Sequence, residues 1–383
     1  YDAGYTIRAV GAGTTAVVIT NDPTQRPMTT AIGAVYSYGV PLILTNLVTL
    51  VILPKYDNQY NLPMMAETCL WFIAFSFVLL IIAVIGVWKV DKPETFEVLK
   101  LSEAGKKREE KQKVKLREML AVLKDNRAMQ MHIITGVSDK LAQQTGSQQI
   151  INTLINGVLI GSYVASQMVN NVSLGVGIVF LFFGGFFIAK WGAKKTTVIW
   201  SWLSIAVAVV TILFCLFLGG PEGMKKIGVM GVPVIIYTVL TLLKSSASMV
   251  LTATNGARAA DVTDYEYMRS GNYLPAVVSA TYSFIDKAVS SLGSLVATGC
   301  VALVGYVNTV PQMGDKATWP IFWMGMFLMF GLPILGWILN VISMKFYILD
   351  KEKMVEVQKT LAERKKEVEA MEAEAAKESS DEA

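Results

Sequence analysis

The sequence predicts an all-α membrane protein of about eight complete transmembrane helices, preceded by part of another. Hydrophobic residues make up 53% of the 383-residue chain and charged residues only 17%, more apolar surface than a soluble domain of this size can cover. Several apolar stretches reach the ~20 residues needed to cross a bilayer. The polar segments between them are alternately rich and poor in Lys and Arg.

In chain order, residues 1–21 are rich in small residues and interrupted by Asp2 and Arg8. They are expected to be the remnant of a span that packs inside a bundle. Asn21-Asp22-Pro23 is a turn signal, followed by Arg26-Pro27. Spans are expected at about 30–53, ending at Pro54, and 66–88, after the polar loop KYDNQYN. From Lys89 to Arg127 the chain becomes dense in Lys and Arg, as in KKREEKQKVKLRE. Leu116, Met119, Leu120 and Leu123 then recur at helical spacing, which predicts an amphipathic helix on the membrane surface. Interspersed glutamates and flanking spans argue against nucleic acid as the partner of those lysines. Further spans are expected at about 129–163, 173–189, 197–218, 228–253, 273–305 and 319–346. The tail from Asp350 to Ala383 is hydrophilic, with a thin apolar stripe at Met354, Val357, Leu361 and Val368, and reads as a solvated cytoplasmic helix.

Loop charge sets the orientation. Arg26, the linker, Lys190 with Lys194 and Lys195, Arg258 with Arg269, and the tail fall on one side, which is therefore cytoplasmic. The linker and the C-terminus lie inside. A basic linker followed by six spans matches the two-halved plan of major facilitator transporters. On that plan residues 1–90 are spans four to six, 91–128 the cytoplasmic linker, 129–347 spans seven to twelve, and 348–383 the charged tail. Three spans would precede Tyr1.

The chemistry on offer is sparse. With one histidine, no HExxH, no CxxC and no phosphate-binding glycine loop, the chain offers little for an enzyme. Cys69, Cys215 and Cys300 lie far apart in apolar segments and read as packing residues. In the span 129–163, Thr145, Gln149, Asn152 and Asn156 fall on one helical face. Amides there suit a hydroxyl-rich ligand, or hydrogen bonds between helices. His132, Asp139 and Gln143 follow a neighbouring stripe, and His132 reads as an interfacial residue. Lys244 lies deep in its span, either as a cavity counter-ion or as a lysine that snorkels or pairs. Ser279, Ser283, Asp286, Ser290 and Ser294 share a face of the span 273–305, with Lys287 beside it. From Pro275 to Lys287 is about 18 Å of helix, so the ammonium should face a partner or a wet cavity.

The block ADVTDYEYMRSGNYLPAVVSATYSFIDKAVSSLG resembles the signature of the glycoside–pentoside–hexuronide:cation symporters, the family of melibiose permease. Asp261, Asp264, Tyr265 and Lys287 fall at the matching spacing. Upstream, YTIRAVGAGTTAVVITNDPTQRP is similar to that family's fourth span and following loop, with Asp22 and Arg26 in place. FIAKWGAKKT is similar to the facilitator loop between spans eight and nine. The resemblance implies a monomeric alternating-access symporter of a bacterial inner membrane, with no cofactor. A sugar or glycoside would be coupled to Na⁺ or H⁺. Lys287 would be the cavity lysine, and Asp261, Asp264 and Arg269 would make cytoplasmic gating contacts. The family's cation-site carboxylates lie mostly on its second span, before Tyr1. Two other readings stay open: a transporter of amphipathic or lipid-like molecules on the same fold, and a non-transporting membrane sensor.

Overall fold

A computed structural model describes residues 39–88, 116–270 and 275–363. The expected remnant at 1–21, the Asp22–Arg26 pattern, the start of the first span, most of the basic linker and the end of the tail lie outside them. The described residues contain helices and no strand. The chain divides into two compact units, Tyr1–Lys113 and Val114–Ala383.

In the first unit, α1 (Gly39–Tyr56) and α2 (Leu62–Val87) are each long and apolar enough to cross a membrane. The sequence places Pro54 where α1 should end. The helix instead tightens into a 3-10 turn over Leu53–Tyr56, since the first turn of such a segment needs no proline N–H. Asp57 and Asn58, both at positive φ, reverse the chain. Asn61 caps α2, its side chain accepting from the Met64 N–H at 3.0 Å. Glu67 closes the turn, accepting from Lys55 at 2.7 Å and from the Tyr56 hydroxyl at 2.9 Å. Leu70, Ile73, Phe77 and Ile85 of α2 are exposed, as lipid-facing side chains would be.

The second unit is a bundle. The α3 helix (Leu116–Asp125) leads into α4 (Arg127–Gly146), and Asn126 between them is fully buried. After Ser147 and Gln148 the path resumes as α5 (Gln149–Leu159), so the span expected at 129–163 is interrupted. The α6 helix (Tyr163–Phe217) holds two of the expected spans, and α7 (Val232–Ser270) follows. Then come α8 (Pro275–Ser290) and α9 (Leu292–Leu303), together one span, α10 (Trp319–Phe346), and α11 at residues 351–363. Six described helical segments are long and apolar enough to span, counting α6 once. The α4 helix is not among them, because Asp139, Lys140, Gln143 and Gln144 dilute its hydropathy.

The α6 helix is a hairpin. Gly192 has φ 80° and ψ 161°, a conformation essentially confined to glycine. Phe180 and Trp200 are 20 positions apart, about 30 Å along a straight helix, yet their rings lie 6.3 Å apart. The first arm packs closely on α7, where a Cβ at Gly184 would sit 2.7 Å from Ala253 Cβ. The α8–α9 span crosses α4 in the same way, since a Cβ at Gly293 would sit 2.8 Å from Gln144 Cβ. Bulk at these crossings would push the helices apart.

The linker-side helix α3 packs against α8, with Val122 3% exposed and Leu120 58% exposed. The apolar contact therefore falls on Val122 together with the half-buried Leu123, one of the residues that periodicity singles out, while Leu120 points away. The tail is also more than a solvated helix. Asp350 caps α11 at 2.9 Å from the Lys353 N–H, Val357 is fully buried, and Lys351 Nζ donates to the carbonyls of Ala189 and Lys190.

Gly192→Val is expected to destabilise the detergent-purified protein by about 1–3 kcal/mol, through the forbidden backbone angle and contact with Lys351. Gly185→Ala, with open space around its Cβ, should leave the melting temperature unchanged. A melting curve indifferent to Gly192→Val would refute the hairpin.

Candidate functional site

The most heavily constrained polar group of the bundle is Arg258, fully buried on α7. The fall in hydropathy after Asn255 makes it read as a loop charge. In the structure α7 runs on without a break to Ser270, so Thr254, Asn255 and Arg258 share one face at helical spacing. Arg258 Nη1 donates to Thr197 Oγ1 on the second arm of α6 and, at 3.0 Å, to Thr254 Oγ1. Its Nη2 donates to Asn255 Oδ1 at 3.3 Å. The Asn255 amide donates in turn to the Tyr282 hydroxyl of α8 at 3.0 Å, and Tyr282 stacks on His132 of α4, centroids 4.7 Å apart. Across α4, Asn340 of α10 is fully buried, and its Nδ2 lies 3.0 Å from each carboxylate oxygen of Asp139. Five helical spans thus contribute to one polar interior.

Nearer the tail, Glu266 is 2% exposed and accepts from Asn126 Nδ2 at 2.8 Å and from Arg269 at 2.9 and 3.1 Å. The same Asn126 caps α4 through its Oδ1, 2.9 Å from the Met129 N–H. One glutamate therefore ties the start of α4 to the end of α7, a charge-assisted contact of the stronger kind. Asp264 accepts from Gln358 of α11 at 2.6 Å. Asp261 faces Arg258 from one turn further along α7 and is partly buried. Asp261, Asp264 and Arg269 are hence helix residues rather than loop residues. The sequence missed Glu266, which the Glu266–Arg269 spacing of three on a helix would have marked.

Earlier on α7, Lys244 Nζ sits 4.6 Å from the centre of the Phe330 ring. Phe330 is 1% exposed and belongs to a π-helical turn, Phe327–Gly331. The lysine has a cation–π partner and, among the described residues, no carboxylate partner. A second π-helical turn, Thr153–Leu159, carries Asn156, whose amide donates to Asn152. The break at Ser147–Gln148 disrupts the single face expected for the four polar residues. Thr145 is fully buried against Gly293, Asn152 and Asn156 are half-buried, and Gln149 is exposed.

On α8, Lys287 and Ser283 are exposed and Asp286 is partly buried. Among the described residues no ion pair joins Asp286 to Lys287. Adjacent helical positions point about 100° apart and do not face each other. Among the described residues no ion pair or hydrogen bond joins the Lys287 side chain to the amides of α5, whose Asn156 bonds to Asn152. A cavity of about 510 Å³ lies elsewhere, in the loop between α9 and α10, lined by Tyr306, Gln312 and Asp315. Asp315 orders that loop, accepting from Tyr306 Oη at 3.0 Å and from the Gln312 N–H at 2.9 Å. Burial first, and then this carboxylate, push the Tyr306 phenol above its ordinary range. It contains none of the residues that the sequence singles out.

Residues 1–351 match the family model described as MFS/sugar transport protein. No curated protein matches the chain. The family and the apolar helices together point to a multi-pass membrane protein whose relatives move sugars as secondary transporters. The chain belongs to the MFS/sugar transport protein family.

Proposed function

We propose that the protein is a cation-coupled symporter that imports a glycoside or oligosaccharide by alternating access, with Na⁺ or H⁺ as the coupling ion. The observation that carries this reading is the interruption of the α4–α5 span beside two half-buried amides, Asn152 and Asn156. Discontinuous helices leave backbone groups unpaired inside a bundle, and transporters use such groups, with neighbouring amides, to hold polar substrates. A sugar presents hydroxyls that both donate and accept, which an amide pair matches. Gln149, Thr145 and Ser283 would extend that polar lining. Lys244 and Lys287, with Asp286, would supply charge to the same cavity. The resemblance to the glycoside–pentoside–hexuronide symporters supports the substrate class and the role given to Lys287.

Alternating access requires contacts that are made in one state and broken in another. The tail-side contacts of Asp264 with Gln358, and of Glu266 with Asn126 and Arg269, suit that use, and Asp261 sits between them and the polar interior. On this reading they face the cytoplasm of a bacterial cell. Lys351, bonded to the α6 hairpin, would hold the tail helix in reach of the same surface.

Uptake of a panel of labelled glycosides by vesicles holding the full-length protein tests the reading. Asn156→Leu, which removes one neutral hydrogen bond worth about 0.5–1.5 kcal/mol, is expected to raise KM about 2- to 13-fold for the transported sugar. No uptake of any glycoside by the wild type would overturn the assignment. Lys244→Met is expected to lower uptake more than Phe330→Leu, which keeps the ammonium and costs only about 0.5–2 kcal/mol of cation–π attraction. Equal uptake by Lys244→Met and wild type would remove Lys244 from the cavity.

A further inference from the structure

The cavity of about 510 Å³ in the loop between α9 and α10 falls within the size range of small-ligand sites. The loop around it is built to hold a shape. Gly305 and Gly314 turn the chain at φ 107° and 101°, and Pro311 and Ala317 are buried. Asp315 Oδ2 takes both of the bonds that order the loop, from the Tyr306 hydroxyl and from the Gln312 N–H. Among the described residues Asp315 Oδ1 accepts no hydrogen bond, and no ion pair joins Asp315 to Lys316. A carboxylate oxygen, the Lys316 ammonium and the Thr309 hydroxyl are thus left for a ligand, beside the Tyr306 ring, Val310 and Ile321.

That set discriminates among ligand classes. A hard metal ion takes several oxygen ligands, whereas no group of three His, Cys, Asp or Glu gathers among the described residues. A charged organic ion would meet an acid and a base together and gain little from the pair. A sugar ring matches every part of the wall. Its hydroxyls donate to a carboxylate oxygen, in a charge-assisted bond, and accept from an ammonium or a hydroxyl. Its C–H faces cover an aromatic ring and aliphatic side chains.

The position of the cavity gives such a site a use. The α10 helix runs from this loop to the tail helix, so the cavity lies at the end of the bundle remote from the tail. On the orientation that loop charge implies, that end is the outer one. The loop also rests on α5, where a Cβ at Gly157 would come within 3.5 Å of the Met313 nitrogen. Gly157 follows Asn156 on the same π-helical turn.

We propose that the cavity of the α9–α10 loop is an outer docking subsite for a sugar ring, held by Asp315, Thr309 and Lys316 against Tyr306. It is separate from the amide pair of α5 and lies at the outer approach to it. The substrate class rests on the transport reading above; the position and the binding groups do not.

Proton NMR of methyl β-galactoside, lactose and maltose, added singly to full-length protein in lipid nanodiscs, tests the subsite without transport. A nitroxide on Asn308→Cys, an exposed position of the loop, marks it in a background freed of Cys69, Cys215 and Cys300. The label should broaden the resonances of at least one of the three sugars. Asp315→Asn combined with Thr309→Val should weaken that binding about 10-fold or more, because a charge-assisted bond and a neutral one are lost. The asparagine oxygen still accepts from Tyr306 and Gln312, so the melting temperature should hold. Should this double variant fail to fold, Lys316→Met decides in its place, with a loss of about 3-fold or more. Asn156→Leu should leave the broadening as it is. No broadening of any of the three sugars overturns the proposal, and so does broadening that survives the loop variants or disappears in Asn156→Leu. Loop broadening without glycoside uptake would leave the subsite standing and sink the transport reading. Uptake without loop broadening would do the reverse.

Discussion

A guanidinium buried in the membrane-embedded bundle is the constraint around which the second unit is arranged. Arg258 cannot shed its charge, so every donor it aims inward must find an acceptor or be left at a cost of kcal/mol. Its acceptors come from two directions. Thr254 and Asn255 lie on its own helix, and Thr197 comes from the second arm of α6. Thr197 reaches it only because Gly192 turns α6 back on itself five residues earlier. Tyr282 and His132 then follow, since Asn255 is shared between the arginine and the tyrosine. One side chain thus links the hairpin, α7, α8 and α4.

Around that polar interior, small residues and irregular turns make room. Gly184 and Gly293 let helices approach to backbone distance, which apolar packing in lipid rewards. Two π-helical turns shift the register of their helices and carry Asn156 and Phe330 with them. At the tail end the bundle is closed by charge-assisted bonds rather than by apolar contact alone, with Glu266 at their centre. The bundle therefore has a packed frame, a polar core and one strongly hydrogen-bonded end.

Much of the frame can be read from the sequence, because a bilayer demands about 20 apolar residues per crossing and α2, both arms of α6 and α10 supply them. The turn at Gly192 is visible as FIAKWGAKKT, where three lysines interrupt two apolar runs. The polar core is harder to read. Arg258 lies where hydropathy falls, and hydropathy cannot distinguish a loop from a helix that carries charge inward. Helical spacing from Thr254 to Arg258 and from Glu266 to Arg269 was the available signal. The pairs Asp139–Asn340 and His132–Tyr282 are separated by far more than one helix and become visible only in three dimensions. Lys287 was legible as a charge in an apolar span, whereas its lack of a bond to Asp286 follows from adjacent positions facing apart.

The account stands on the Asp139–Arg258 region being an interior that water reaches in a working transporter. Ser138 borders it, its hydroxyl 3.3 Å from Asn340 Oδ1. The most direct measurement places a cysteine there, as Ser138→Cys, in full-length protein freed of Cys69, Cys215 and Cys300. Sealed vesicles are then treated with a small charged thiol reagent. The account predicts labelling from one side of the membrane, at a rate that changes when a transported sugar is added. A thiol inert from both sides in the native membrane, yet reactive once the protein is denatured, would contradict it.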